Sequence, residues 1–182
     1  MNDKAEKVYA DAFFTLCLEE TPDTLKNTLG ELSALDGIFR EQPDFVKLLG
    51  TPTVTMDEKL GMIKDIIADG VSEYTGNLLC VLTERGRMGC FSGIVKNFRA
   101  LYNEHFRIAE ITVTASAPLS ESVREKIAAK MSEVTGKTVS IKEKVDPSIS
   151  GGVVIDYGST RYDGSVRTRL NELKKELGGV IA

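Results

Sequence analysis

Over the first 105 positions, apolar residues recur at the i, i+3, i+4, i+7 spacing that gives a helix one dry face. Ala5, Val8, Ala12 and Leu16, with Tyr9, Phe13 and Cys17, form the first stripe. Thr21-Pro22 interrupts it, and Pro22 suits the first turn of a second helix carrying Leu25, Leu29, Leu32, Leu35 and Phe39. Pro43 opens a short third helix with Phe45, Val46, Leu48 and Leu49. Thr55 and Glu58 have the spacing of a capping box ahead of a fourth, whose apolar set is Met56, Leu60, Ile63 and Ile67, with Gly70 as its stop. Val71, Tyr74, Leu78, Val81 and Leu82 mark a fifth, ending near Arg85-Gly86. Phe91, Ile94, Val95, Phe98, Leu101 and Tyr102 mark a sixth. Six short helices with brief connections predict an all-α six-helix bundle over residues 1–105.

After His105 the period changes to two. Ile111, Val113 and Ala115 alternate with Glu110, Thr112 and Thr114, a half-buried strand closed by Pro118. Val123, Ile127, Met131 and Val134 return to helical spacing, with Ser120 or Ser122 as candidate cap and Gly136 as stop. Val139, Ile141 and Val145 mark a second strand, Gly152–Tyr157 a third, and Arg161-Tyr162 a short fourth. A last helix carries Val166, Leu170, Leu173 and Leu177. Residues 106–182 therefore read as a small α+β domain.

Composition narrows the function. The chain has 182 residues, 42% of them apolar and 27% charged, which suits a folded, water-soluble protein. The longest nearly pure apolar run, Leu78–Leu82, is far short of the roughly 20 residues that span a bilayer. The polar, acidic start resembles neither a signal nor a transit peptide, so a cytosolic-side protein is expected. Cys17, Cys80 and Cys90 are far apart and read as small buried hydrophobes. His105 is the single histidine, so neither a catalytic triad nor a structural zinc set assembles by spacing. Residues 1–105 hold 11 Lys/Arg against 17 Asp/Glu, whereas residues 106–182 hold 12 against 10. No basic stripe and no Trp speak for nucleic acid, and the uneven charge suggests two bodies with different partners.

Individual motifs point the same way. Gly151-Gly152 precedes a strand, the wrong order for a phosphate cradle and the right one for a bulge or close backbone approach. Asp163-Gly164-Ser165 before a helix reads as a capping turn in preference to an anion site. Arg85-Gly86-Arg87 reads as a helix C-cap, and Asp57/Glu58 pair only in capping. No catalytic constellation, cofactor site or metal set emerges. The first and fifth helices are apolar on more than one stripe, through Tyr9, Ala12, Phe13, Phe14, Leu16, Cys17 and Leu18, and through Leu78, Leu79, Val81 and Leu82. Such helices are either central in a bundle or expose a groove for a partner.

The run from Val145 to Leu177, VDPSISGGVVIDYGSTRYDGSVRTRLNELKKEL, resembles the delta subunit of bacterial F-type ATP synthase, a family similar to the mitochondrial oligomycin-sensitivity-conferring protein. Tyr9-Ala10-Asp11-Ala12-Phe13 resembles that family's opening helix. Leu82–Leu119, with Gly86-Arg87 and the Ala115-Ser116-Ala117-Pro118-Leu119 junction, resembles its middle. Ser150, Asp156 and Tyr162 depart from the family's usual residues. The resemblance implies a non-catalytic stator at the cytoplasmic face of the cell membrane, present in single copy, joining catalytic head to peripheral stalk. It implies that the helical domain binds the N-terminal helix of an alpha subunit through Tyr9, Ala12, Phe13, Leu78, Val81 and Leu82. It also implies that the α+β domain meets the b subunits, without cofactor, nucleic acid or membrane insertion. An unrelated helical adaptor would share the helices but not the C-terminal run. A small transferase built on Asp163 or His105 would need a convergent pocket that the spacing does not supply.

Overall fold

The computed structural model describes residues 3–20, 22–51, 54–68 and 70–171, with side chains at 22 and 65–68 left aside. The chain divides into two compact units, Met1–Tyr102 and Asn103–Ala182. Among the described residues, no helix is long and apolar enough to cross a membrane.

The first unit is helix-rich. Its elements are α1 (Asp3–Leu18), α2 (Pro22–Glu41), α3 (Pro43–Gly50), α4 (Met56–Ala68), α5 (Glu73–Glu84), a 3-10 turn at Met88–Cys90, and the start of α6 (Phe91–His105). The Thr55/Glu58 box is formed. The Glu58 amide donates to Thr55 Oγ1 at 3.4 Å, and the Thr55 hydroxyl and amide donate to Glu58 Oε2 at 2.8 Å and 3.0 Å, which holds the Glu58 carboxyl below its ordinary pKa. Phe98 of α6 organises the packing of α1: its ring centroid lies 5.6 Å from Phe13 and 5.5 Å from Phe14. Phe39 of α2 meets Phe91 at 5.1 Å and Phe45 at 5.9 Å. Leu25, Leu32, Leu49, Ile63, Leu79, Leu82 and Ile94 fill the rest of this core.

The second unit is built on a four-stranded sheet. Its elements are β1 (Ile108–Ala115), α7 (Glu121–Thr135), β2 (Thr138–Val145), β3 (Val153–Tyr157) and β4 (Thr160–Asp163), and the backbone is helical again at residues 166–171. The remainder of the expected last helix, with Leu173 and Leu177, lies outside the described residues. Strand order is β2-β1-β3-β4. β1 runs parallel to β2, in register from Ile108↔Thr138 to Ala115↔Val145, and α7 is the crossover between them. β3 is antiparallel to β1 and turns at Gly158 into β4. Ile111, Val113 and Met131 are the buried centre, with Ile127, Ile141 and Ile155 packed against them.

Two local expectations resolve differently. Gly136 ends α7 as expected, at φ 65° with its amide donating to Ser132 O, a left-handed cap that glycine adopts without strain. Ser120 stands at the N-cap of α7, but its hydroxyl makes no cap bond and lies 3.2 Å from Ser122 Oγ. The entry to α7 is fixed instead by Glu143 of β2. Its carboxylate accepts the Leu119 amide through Oε1 and Arg124 Nη2 at 2.7 Å through Oε2, and these bonds hold its pKa below the ordinary value.

Candidate partner-binding groove

The fifth helix is placed by bonds at both ends. Ser72 is its N-cap and accepts the Thr75 amide at 3.5 Å. Glu31 of α2 accepts both Ser72 Oγ and Thr75 Oγ1, each at 2.6 Å, so one carboxylate ties the start of α5 to α2. At the other end Gly86 adopts φ 62°, and the Arg87 amide donates back to Leu82 O at 2.8 Å. The C-cap expected from Arg85-Gly86-Arg87 is therefore formed.

Between α1 and α5 lies an apolar cleft of about 330 Å³, lined by Tyr9, Ala12, Phe13, Leu16, Tyr74, Asn77, Leu78 and Val81. Phe13 and Leu78 form its floor, being 6% and 7% exposed. Leu16 at 47% and Val81 at 42% stand up from it, and Ala12 is exposed between them. Five of the six residues expected at a partner site thus line one surface. Leu82 does not. It is 0% exposed inside the core, because on a helix it sits about 40° further round than Leu78, toward the buried Leu79. Sequence reasoning placed Leu16 and Tyr74 on apolar stripes without assigning them to the site, and it passed over Asn77. Their signal was positional: Leu16 follows Ala12 by four residues, and Tyr74 precedes Leu78 by four.

The two ends of the cleft differ in charge. At one, the Arg87 guanidinium lies 5.7 Å from the Tyr9 ring centroid and donates Nη1 to Tyr9 Oη at 3.3 Å. At the other, the Tyr74 hydroxyl bonds to Glu20, and that bond, with burial and the nearby Glu20 and Glu73 charges, raises the phenol above its ordinary pKa.

Other candidate chemistry resolves into structure. Cys17 is buried against Thr28, and burial raises all three thiols above their ordinary range, away from a nucleophilic thiolate. His105 ends α6 with its ring edge-on to Phe106 at 4.9 Å. Among the described residues, no group of three or more His, Cys, Asp or Glu could hold a metal ion. Asp163 accepts the Ser165 amide at 2.9 Å and the Thr168 hydroxyl at 2.9 Å, and Ser165 Oγ accepts the Thr168 amide at 3.3 Å. These donors are occupied within the turn, so it is a cap. Gly152 has φ 82°, and a Cβ there would lie 2.9 Å from Ser165 Cα, the close backbone approach its sequence position suggested.

The profile of the ATP synthase delta (OSCP) subunit family matches residues 5–177. ATP synthase subunit delta of Anaeromyxobacter sp. (strain Fw109-5) is 34% identical over 170 residues, covering 93% of this chain and 94% of its own. The chloroplastic ATP synthase subunit delta of Emiliania huxleyi is 33% identical over 173 residues, covering 94% and 95%. A chain of the Toxoplasma gondii mitochondrial ATP synthase hexamer has the same fold, with a TM-score of 0.70 at 22% identity over 94% of this chain and 96% of that one. The chain belongs to the ATP synthase delta (OSCP) subunit family and is a non-catalytic stator subunit of that enzyme complex.

Proposed function

We propose that the α1/α5 cleft is where this stator holds the catalytic head, by taking an amphipathic N-terminal helix of an alpha subunit. The observation that carries the reading is the conjunction of Leu16 and Val81, both more than two-fifths exposed, above a floor of Phe13 and Leu78. An apolar stripe laid there removes these side chains from water at roughly 25 cal/mol per Å², before the cost of ordering the helix. In this reading residues 1–105 act as a six-helix bundle facing the head. Residues 106–182 act as an α+β domain that meets the b subunits of the peripheral stalk. Support for the second contact is the exposure of Val145, Tyr162, Val166 and Leu170. Torque from the rotor then reaches the catalytic sites instead of turning the head. The chain works at the periphery of a membrane complex, in this reading at the cytoplasmic face of the cell membrane.

Calorimetry tests the head contact directly. Head complexes with intact alpha subunits should bind the chain stoichiometrically, and heads whose alpha subunits have lost their N-terminal segments should bind at least about tenfold more weakly. Equal binding by both heads would overturn the assignment.

A further inference from the structure

The first unit has a second apolar recess, and this one carries a charge. We propose that it is a binding site for an elongated amphiphilic cation, a small molecule whose flexible apolar body ends in a protonated amine. The body lies along α2 and the ammonium sits at Glu31.

The recess follows one stripe of α2. Glu31, Leu35, Ile38 and Gln42 recur at i, i+4, i+7 and i+11, roughly 16 Å of helix at about 1.5 Å per residue. Phe45 of α3 and Gly70-Val71 ahead of α5 complete the lining, around a volume of about 460 Å³. Leu35 and Phe39 are its buried floor. An apolar cavity of this size with few polar groups has the character of a small-molecule site. It differs from the α1/α5 cleft in its rim. There Leu16 and Val81 rise from both helices and give an approaching helix two walls. Here Ile38, 49% exposed, is the single large apolar residue of the lining that stands out, so the occupant enters the recess instead of lying across it.

Glu31 supplies the chemistry. Its Oε2 accepts the Ser72 and Thr75 hydroxyls, each at 2.6 Å, which places the carboxylate at the Val71 end of the recess. Gln42 marks the Phe45 end. The two hydroxyls hold the carboxylate in position, so a ligand spends little on ordering it, but they bring no charge. Among the described residues Glu31 is half-buried and has no ion-pair partner. A carboxylate so placed attracts a cation more strongly than one in open water. The α1/α5 cleft has no charged residue in its lining, so a preference for cations separates the two sites.

The test uses the full chain with decylamine, decanol and decanoate, each below its micelle concentration, followed by calorimetry and amide NMR. Decylamine is protonated at pH 7. It should bind at least about fivefold more tightly than decanol and about tenfold more tightly than decanoate, shifting the amides of residues 34, 38 and 71. Glu31→Gln keeps an acceptor for both hydroxyls without the charge, and should bring decylamine within about twofold of decanol. Should that variant unfold, salt answers the same question on the parent chain. Raising NaCl about tenfold should weaken decylamine at least about twofold and should not weaken decanol. Ala34→Trp, at an exposed position, should fill the recess and abolish binding of all three with little change in melting temperature. Equal affinity for decylamine and decanol overturns the role of Glu31. Shifts confined to residues 12 and 81, absence of saturable binding, or undiminished binding by folded Ala34→Trp overturns the site.

Discussion

Arg87, three residues past the end of α5, lies over the ring of Tyr9 in the first half of α1, with its guanidinium 5.7 Å from the ring centroid and its Nη1 3.3 Å from the hydroxyl. These residues are 78 positions apart, and the contact closes one end of the apolar cleft. Its strength is modest because the arginine is exposed, and cation–π contacts of that kind are worth about 0.5–1 kcal/mol. Arg87→Ala should therefore lower the melting temperature by only a few degrees. Lys at this position keeps the charge but loses the planar stack, and should restore part of the loss. Thermal melts of the two variants measure both effects.

Glu143 offers a titratable test of the second unit. Its folded pKa is held down by the Leu119 amide first and by Arg124 second. Because the folded value lies below the unfolded one, the stabilisation is fully present above the ordinary carboxylate value of about 4.3 and is lost as pH falls through the folded value. Glu143→Gln should thus melt lower than the parent chain at pH 7. The gap should narrow steadily below about pH 4. A gap that is constant across the acid range would contradict the assignment of Glu143 as the anchor of the α7 entry.

A side chain at Gly152 would run into backbone. Its φ of 82° disfavours any L residue, and a Cβ would strike the Gly164 carbonyl and approach Ser165 Cα at 2.9 Å. Both obstacles are backbone and cannot swing aside. Gly152→Ala should destabilise the second unit by about 2 kcal/mol or more, read as faster amide exchange in residues 108–163. Gly30→Ala provides the contrast. Nothing lies near its Cβ, and an alanine in mid-helix should be neutral or stabilising by up to about 1 kcal/mol.

Periodicity made the helices legible because each must bury a stripe, and the stripes of α2 and α6 lie in or against the core where their spacing put them. In α1, by contrast, Val8, Ala12 and Leu16 are exposed and Ala10 and Phe14 are buried instead, and Val81 of α5 is exposed. The change from period 3.6 to period 2 located β1 for the same reason. Strand direction was not legible. Alternation reports which face of a strand is dry, and says nothing about whether β2 runs with or against β1. At the groove, composition identified the right helices but could not separate Leu82 from Leu78. Both are leucines on the apolar side of α5, and their difference of about 40° decides between core and cleft only once the neighbours are in place. The contacts at the ends were invisible to local pattern, since Arg87 with Tyr9 and Glu20 with Tyr74 join residues far apart in sequence.

The period switch near residue 105 also carries a prediction. If residues 1–105 make a self-sufficient bundle, that fragment alone should be strongly helical by circular dichroism and should melt cooperatively. Among the described residues its core includes Phe13, Phe14, Phe39, Phe91 and Phe98. A fragment that is largely unfolded would show that the helical unit depends on the rest of the chain.

The central claim is that the α1/α5 cleft grips a helix of the head, and binding of an alpha-subunit N-terminal peptide to cleft variants tests it most directly. Ala12 and Val81 are exposed, so Ala12→Trp and Val81→Asp should leave the melting temperature within a few degrees of the parent. Each should weaken the peptide at least about tenfold, or ~1.4 kcal/mol. Leu82→Ala should do the opposite, costing about 2–5 kcal/mol of stability through a core cavity while a chain that remains folded still binds. Normal peptide binding by folded Ala12→Trp and Val81→Asp would contradict the account, and so would unfolding of both.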